Sequence, residues 1–293
     1  MSDLDAIVAQ LATSHGISLD ADSARPVGGG CINAAWYLPG AGAGIFLKTN
    51  TPSLLPMFQA EAAGLVELGA AGSLRIPRPL ATGVTDASAW IAMEWIEPGQ
   101  GSAEQELGAG LAEQHRKTAE RFGWDRDNTI GSSPQRNDRC EDWPDFFARH
   151  RLAFQLELAR RNGWGGTLAE AGSQLCQRLP EFFSDYRPAA SLLHGDLWAG
   201  NWAVDSNGHP FLFDPAVYYG DREADIAMTE LFGGFGADFY AAYGEAWPLD
   251  PGYQVRRLLY NLYHILNHLN LFGGGYLGRA QGMIDRLLAE TRG

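Results

Sequence analysis

A short segment near residue 200 carries the side chains that could do chemistry. It reads HGDLWAGN from His194 to Asn201, and Asp214 follows thirteen residues later. Phosphoryl transfer needs a carboxylate beside the attacking hydroxyl and oxygen ligands for Mg²⁺. Asp196 fits the first role, and Asn201 and Asp214 fit the second. A surface loop bent by Asp and Asn is the alternative explanation, but the ordered set of four polar residues favours phosphoryl transfer.

The N-terminal part of the chain supplies the residues that a nucleotide would need. Gly28, Gly29 and Gly30 lie between two predicted strands, where backbone N–H groups can approach phosphates, although a triple glycine alone also fits a hairpin turn. Lys48 ends the apolar strand IFL, and Glu61 follows on a predicted helix. A strand-borne lysine paired with a helix glutamate is typical of kinases. The alternative, a surface ion pair, does not explain why glycines, Lys, Glu and HGDLWAGN follow in that order.

The elements that must position these residues change in character along the chain. Alternating β-type segments dominate the N-terminal third after a first helix, and helical spacing dominates the rest apart from a β-rich island at 191–216. The helices are predicted at 3–14, 52–69, 103–121, 143–161, 167–184 and 253–271. The pattern predicts an α+β fold with a small β-rich lobe at 1–97, a hinge at about 93–98, and a larger, mainly helical lobe at 98–293.

Composition limits the class of protein. The 293 residues are 45% hydrophobic and 11% aromatic, which excludes disorder as the main state. A net charge of −13 disfavours nucleic acid as a partner, and no segment predicts a membrane span. An acidic N-terminus and three scattered cysteines predict a cytoplasmic protein. We expect a monomer or weak dimer.

The spacing after Asp214 limits the size of the acceptor. Protein kinases carry a long activation segment and an A-P-E signature after the metal-binding aspartate. No such signature follows here, and Asp225 already opens the next helical run, EADIAMTELF. The acceptor is therefore predicted to be a small molecule, or a small group attached to a larger one.

The same residues carry a more specific resemblance. HGDLWAGN followed by DPAVYYGDREADIAMTELFGGF resembles the fructosamine/ketosamine-3-kinase family, which is related to the aminoglycoside and choline phosphotransferases. The likeness covers nearly the whole chain and includes GGGCINAAW, IFLKTN, DWPDFFARHRL and LYHILNHLNLFG. It implies a bilobal protein-kinase-like fold and ATP- and Mg²⁺-dependent phosphorylation of the sugar 3-hydroxyl of a ketosamine, free or on a glycated lysine. The phosphorylated product of such a reaction releases the amine, so the resemblance implies protein deglycation.

The resemblance also implies roles for individual residues. Asp196 is expected to be the catalytic base, supported structurally by His194 and Asp225, and the metal ligands would be Asn201 and Asp214. Lys48 and Glu61 would serve the phosphates. Adenine would be bound through the backbone of the hinge, at Met93, Glu94, Trp95 and Ile96.

Five further residues have two explanations each. Trp198 could stack on the sugar or pack in the core. His264 and His268, four apart on one helical face, could include an acceptor contact or be core histidines. Cys31 could be an oxidisable thiol in the glycine loop or a half-buried strand residue. Arg139 stands where the family tends to have Trp. It would alter sugar preference if the position lined the acceptor site, and the simpler alternative is a surface position without consequence.

Two rival functions share these motifs. A phosphotransferase for another hydroxyl, such as that of an aminoglycoside or choline, would use the same catalytic residues. A nucleotide-binding pseudokinase is a rival of a different class, but the intact set of Lys, Glu, Asp, Asn and Asp argues against it.

Overall fold

The computed structural model describes residues 2–28, 32–40 and 44–291. The chain divides into two compact units. One comprises the described residues of Met1–Ala103 together with Gly200–Pro215, and the other comprises Glu104–Ala199 together with the described residues of Ala216–Gly293. The boundary at 97/98 that the sequence indicates stays a prediction. Residues 200–215 are grouped with the N-terminal segment, which matters for the site below.

The first unit is built on a five-stranded antiparallel sheet in the order β1-β2-β3-β5-β4. Two helices and a separate hairpin, β10–β11, accompany this sheet. The bounds are α1 Asp3–His15, β1 Arg25–Pro26, β2 Ala34–Leu38, β3 Ile45–Asn50, α2 Leu55–Ala71, β4 Pro79–Val84, β5 Ala89–Glu94, β10 Trp202–Val204 and β11 Pro210–Leu212. Short 3₁₀ turns lie at Ala21–Ser23 and Pro52–Leu54.

The alternation of side chains along β3 decides which helix each residue meets. Ile45 and Leu47 pack in the cluster that includes Ile7 and Leu11 of α1. Phe46 points to the other face and packs with the cluster of α2. Because successive residues of a strand face opposite sides, Lys48 lies on the α2 face, where Glu61 is carried.

The second unit is mainly helical. Its helices are α3 Glu104–His115, α4 Trp143–Phe147, α5 Phe154–Arg161, α6 Thr167–Arg178, α7 Glu223–Leu231, α8 Ala237–Ala246, α9 Tyr253–Phe272 and α10 Leu277–Glu290. Its strands are β6 Thr118–Ala119, β7 Asn128–Ile130, β8 Ser133–Gln135, β9 Ala190–Leu193 and β12 Tyr218–Gly220, with β12-β9-β6 forming one sheet and β7-β8 a hairpin. Helix α9 is buried along most of its 20 residues, and α5, α7 and α10 pack against it.

The predicted mixed class, β-rich before residue 97 and helical after it, is confirmed, but several bounds differ. The helix expected at 103–121 ends at His115, because Thr118–Ala119 pairs with β9 instead. The helix expected at 143–161 contains a π-helical segment at Ala148–Ala153. The helix expected at 167–184 tightens to 3₁₀ over Leu179–Phe183, where Pro180 cannot donate a helical hydrogen bond. Helices α8 and α10 were not predicted.

No helix among the described residues combines the length and apolar character needed to cross a bilayer.

Candidate active site

The lysine of β3 forms the centre of an ionic cluster in the first unit. The Lys48 ammonium donates to Glu61 Oε1 of α2 over 2.7 Å and also to a carboxylate oxygen of Asp214. Only 5% of Lys48 is exposed. Lys48, Glu61 and Asp214, three of the four residues that the sequence analysis assigned to the phosphates and the metal, are therefore brought together by β3, α2 and the segment after β11.

Burial and charge act against each other in this cluster. Burial alone would lower the pKa of Lys48, but the carboxylates of Asp214 and Glu61 outweigh it and hold the pKa above its usual range. Burial raises the pKa of Glu61, although Lys48 opposes that effect. The lysine thus keeps its positive charge at any physiological pH, as a ligand for phosphate oxygens requires.

The hairpin β10–β11 explains the thirteen-residue spacing between Asn201 and Asp214. Trp202 pairs with Leu212, so the two residues flank the open end of the hairpin. The Phe213 N–H donates to the Asn201 carbonyl over 3.1 Å, and Asn201 Nδ2 donates to the Asp214 carbonyl over 3.4 Å. The side-chain amide of Asn201 consequently contacts the backbone of Asp214.

Asp214 itself has an unusual backbone. Its φ of 57° is the only positive value for a non-glycine residue within the described residues. A conformation of this kind costs energy and persists where the surroundings impose it, which happens most often at functional positions. The side chain is 39% exposed while one of its oxygens pairs with Lys48, so the carboxylate is partly accessible to a ligand.

The expected adenine segment continues from β5. Met93 and Ile96 are buried, and the Glu94 N–H donates to the Arg78 carbonyl over 2.9 Å. The Trp95 ring packs on Tyr37 with 4.6 Å between ring centroids. The segment is thus held by the sheet and by aromatic packing.

In the second unit, Asp225 of α7 organises the backbone that precedes Asp196. Its carboxylate accepts from the His194 N–H over 2.7 Å and from the Gly195 N–H over 2.8 Å. His115 Nε2 lies 3.2 Å from the same carboxylate. Burial acts to raise the pKa of Asp225, but the hydrogen bonds and charges of His115 and His194 and the bond from Gly195 outweigh it, and the pKa is lowered. The aspartate stays ionised and holds the loop.

Gly195 permits the loop to turn. Its φ is +81°, and a Cβ atom there would lie 2.1 Å from the Ala216 carbonyl oxygen. The Ala216 N–H in turn donates to the His194 carbonyl over 2.8 Å. Any residue with a side chain at position 195 would force the backbone there, or that of Ala216, to move.

A buried polar network that the sequence analysis did not single out fixes the chain beyond Pro215. Gln135 Nε2 donates to the Ala216 carbonyl over 3.0 Å, and Tyr263 donates to Gln135 Oε1 over 2.7 Å. Asn128 Nδ2 donates to the Val217 carbonyl over 2.8 Å. The network therefore holds the peptide units of residues 216 and 217. In the sequence, Tyr263 lies in the segment LYHILNHLNLFG, which carries part of the family resemblance.

Arg151 belongs to the same network and was also missed. It is fully buried in the π-helical segment, donates to Asn137 Oδ1 over 2.8 Å, and lies 4.0 Å from the centroid of the Tyr218 ring. Within the described residues it forms no ion pair. Its charge is balanced instead by the Arg136 carbonyl, the Asn137 amide oxygen and ring faces.

The three expected acceptor residues all lie in the second unit. Trp198 is 38% exposed, which does not fit the core-packing explanation. His268 is half-buried, and its ring lies 4.9 Å from that of Phe232 and 5.4 Å from that of Phe272. His264 is 5% exposed, and burial lowers its pKa to about 3. Their role toward an acceptor stays a prediction.

Arg139 forms hydrogen bonds with residues that are near it in the sequence. It donates to Asp125 Oδ1 over 2.9 Å and to the Gly123 carbonyl over 3.2 Å.

Gly29, Gly30 and Cys31 lie outside the described residues. Gly28 is described, and a Cβ atom there would meet nothing within 4 Å.

Comparison with known proteins connects this geometry to a family. The fructosamine kinase family model matches residues 4–290. A probable ketoamine kinase of Synechocystis sp. is 44% identical over 96% of this chain and 96% of its own length. The chloroplastic protein-ribulosamine 3-kinase of Arabidopsis thaliana is 43% identical over 89% of this chain and 81% of its own.

Solved structures agree with the sequence relatives. A crystal structure from Haemophilus somnus 129PT, provisionally named fructosamine-3-kinase, superposes with a TM-score of 0.87 at 28% identity and covers 96% of both chains. An aminoglycoside phosphotransferase, APH(4)-Ia, superposes with a TM-score of 0.62 at 18% identity and covers 98% of this chain and 99% of its own. The second match shows the fold alone, which is that of the kinase-like phosphotransferases. The chain therefore belongs to the fructosamine kinase family and is a kinase.

Proposed function

We propose that this kinase transfers the γ-phosphoryl group of ATP to the sugar 3-hydroxyl of a ketosamine. The observation that carries the proposal is the pairing of Lys48 with both Glu61 and Asp214, in a chain 43% identical to a protein named a ribulosamine 3-kinase. The acceptor is a ketosamine, free or formed on a lysine amine. Phosphorylation there prepares release of the amine, so the proposed role is deglycation.

In the first unit, Lys48 holds the phosphates and Glu61 holds Lys48. The backbone of residues 93–96 binds adenine, and the glycine segment that begins at Gly28 approaches the phosphates. Burial of the Lys48–Glu61 pair supports this assignment, because a surface pair would be screened by water and weak.

Asn201 and Asp214 would hold Mg²⁺. The donor set fits this ion, because an amide oxygen and a carboxylate are hard oxygen ligands and Mg²⁺ takes few ligands from protein. The part-exposed Asp214 side chain and its neighbour Asn201 satisfy that requirement. When bound, the ion would neutralise negative charge on the phosphate oxygens. The protein's task is to keep both oxygens side by side at the end of the hairpin.

In the second unit, Asp196 orients the acceptor hydroxyl and accepts its proton. Asp225 supports this role by fixing the amides of His194 and Gly195 immediately before it. A carboxylate whose preceding backbone is fixed loses little entropy on reaching the transition state. Trp198, two residues after Asp196, offers an exposed indole face on which a sugar or its aglycone can pack.

The proposal is tested by ATP consumption of the purified protein. The acceptors are ribulosyl-, erythrulosyl- and fructosyl-lysine, with an aminoglycoside and choline as rivals, and phosphorus NMR locates the phosphate. We expect turnover on at least one ketosamine, a 3-phosphate product, and a loss of about 10²–10⁴-fold in kcat for Asp196→Asn. Asp285→Asn, at an exposed position of α10, is the matched control.

Each rival predicts a different outcome. Turnover on the aminoglycoside or choline with none on any ketosamine would overturn the proposed acceptor and leave the kinase assignment intact. Nucleotide binding without turnover on any acceptor would favour the pseudokinase. The preferred sugar, a cytoplasmic location, the absence of a nucleic-acid partner, and a monomeric or weakly dimeric state stay predictions.

A further inference from the structure

Arg75, which precedes β4, joins two carboxylates that are far apart in the sequence. One Nη atom pairs with Asp205, 130 residues away at the turn end of the hairpin β10–β11. The other Nη atom donates to Glu94 Oε1 over 3.0 Å, at the end of β5. We call these three residues the hinge clamp. A guanidinium suits this arrangement because its donors are fixed in a planar fork.

Asp205 is buried, and backbone hydrogen bonds hold its carboxylate in place. It is 2% exposed, and its Oδ1 accepts from the backbone N–H groups of Asn207 over 2.9 Å and His209 over 3.0 Å. Those bonds form the turn of the hairpin and leave Oδ2 for Arg75. The arginine is the cation that a buried carboxylate at this position requires.

Backbone hydrogen bonds attach the hairpin on both of its strands. The Leu212 N–H of β11 donates to the Arg75 carbonyl over 3.0 Å, and the Gly99 N–H donates to the Val204 carbonyl of β10 over 2.8 Å. A Cβ atom at Gly99 would lie 2.0 Å from the Asp205 carbonyl oxygen. The chain directly after the adenine segment therefore runs in close contact with the hairpin.

The hairpin depends on these attachments for its position. Its strands are three residues long, and an isolated pair of that size is marginal in water. Its open end carries Asn201 and Asp214. Three strand residues at ~3.3 Å each separate that end from Asp205 at the turn, a distance of about 10 Å. The adenine segment is held independently, since Glu94 pairs with Ile45 in the five-stranded sheet.

We infer that Arg75 is a positioning residue for the metal side of the nucleotide site. Through Asp205 and Glu94 it fixes the hairpin, and with it Asn201 and Asp214, against the segment that binds adenine. The inference rests on the proposed function. It follows that loss of Arg75 weakens the part of nucleotide affinity that depends on Mg²⁺, while adenine binding through residues 93–96 is retained.

Calorimetry of the full chain with AMP-PNP separates these contributions. The titration is done with excess Mg²⁺ and again in EDTA, without acceptor. For Arg75→Ala we expect about tenfold weaker binding with Mg²⁺ and less than about twofold change in EDTA. Arg75→Lys gives an intermediate loss, because one ammonium cannot bridge both carboxylates. Arg78→Ala removes an exposed arginine three residues further along the chain. It should change the AMP-PNP affinity neither with Mg²⁺ nor in EDTA.

A second variant keeps the test independent of folding. Asp205→Asn is nearly isosteric and breaks the same ion pair, so it gives the same Mg²⁺-selective loss. Combined with Arg75→Ala it adds little, because the two residues act as one unit. Melting temperatures of all variants are recorded, and Asp205→Asn replaces Arg75→Ala if the latter does not fold.

Two outcomes would contradict the inference that Arg75 positions the metal side of the nucleotide site. Unchanged Mg²⁺-dependent affinity in both variants shows that the hairpin holds its position without Arg75. Equal losses with and without Mg²⁺ show a general structural role. Either result leaves the proposed function standing if the unaltered protein binds nucleotide and turns over a ketosamine. If the unaltered protein does not bind AMP-PNP, the proposed function itself is contradicted, whatever the variants show.

Discussion

Asn201 and Asp214 lie thirteen residues apart in the chain, yet the Asn201 side-chain amide reaches the Asp214 carbonyl over 3.4 Å. The intervening residues form one short hairpin whose strands return to the same end. The spacing between the two residues is thus a consequence of hairpin length. In the folded chain the two residues are adjacent, and the Asp214 carboxylate pairs with the buried Lys48.

Removal of the Asp214 carboxylate is expected to abolish turnover. Asp214→Ala deletes a proposed Mg²⁺ ligand and one partner of Lys48, so kcat should fall by at least about 100-fold. Lys48 is buried and would keep Glu61 as a partner, so the free energy of unfolding should fall by about 1–3 kcal/mol. Steady-state kinetics and urea unfolding measure the two effects, with Asp285→Ala as the control. A variant with near-normal kcat would contradict the assignment of Asp214.

Gly195 is expected to tolerate no side chain. In Gly195→Ala the new Cβ would lie 2.1 Å from the Ala216 carbonyl at a φ of +81°, so the backbone before Asp196 must shift. We expect a loss of about 1–3 kcal/mol in the free energy of unfolding and at least about tenfold in kcat. Gly282→Ala, in α10 with nothing within 4 Å of the added Cβ, should be neutral or slightly stabilising. Full activity of Gly195→Ala would show that this turn is not needed.

Asp225 is expected to stabilise the fold through its charge. Asp225→Asn keeps the shape but weakens the bonds from the His194 and Gly195 amides and leaves His115 without an anion, a loss of about 2–4 kcal/mol. Because the pKa of Asp225 is lowered on folding, its contribution is complete above the unfolded value near 3.8 and disappears as pH falls through the folded value. Urea unfolding at pH 7 and pH 3 measures this. A deficit that does not shrink at pH 3 would assign it to packing.

Local sequence patterns are sufficient to place Lys48 and Glu61 on their elements and to predict most helices and strands. Alternation placed Lys48 on β3, helical spacing placed Glu61 on α2, and the order of motifs identified the family that the comparisons confirm. These signals are local, because side-chain period and motif spacing are written in consecutive residues. The fold class followed from the same periodicity.

The supporting residues could not be predicted in that way. Arg75 and Asp205 meet across 130 residues, and no local pattern distinguishes such an arginine from a solvated one. Arg151 has helical neighbours and resembles a surface residue, but it lies in a π-helical segment and is buried against Tyr218. The strand β6 was read as helix because only its pairing with β9 favours the extended form.

Trp198 is expected to contribute to acceptor affinity alone. Its indole is 38% exposed and lies two residues after Asp196, so Trp198→Ala should raise KM for the ketosamine by about tenfold, equivalent to one lost aromatic contact. KM for ATP and the melting temperature should not change, and Trp198→Phe should recover part of the loss. Equal effects on both substrates, or a large drop in melting temperature, would contradict a role confined to the acceptor.

His264 is expected to make the fold sensitive to mild acid. Burial lowers its pKa from 6.5 to about 3, so between those values the unfolded chain binds a proton that the folded chain does not. Its contribution to stability is therefore constant above pH 6.5 and falls as pH decreases towards about 3. Between pH 7.5 and pH 5 this amounts to about 2 kcal/mol in the free energy of unfolding.

The change His264→Gln tests that slope, because glutamine offers a polar group that does not titrate. Urea unfolding at pH 7.5, 6 and 5 should show a flatter pH dependence in the variant, by about 2 kcal/mol over the range. His15→Gln, at an exposed position near the end of α1, should keep the dependence of the unaltered protein. If His264→Gln keeps it as well, the imidazole is protonated inside the fold, and the acid sensitivity arises from another group.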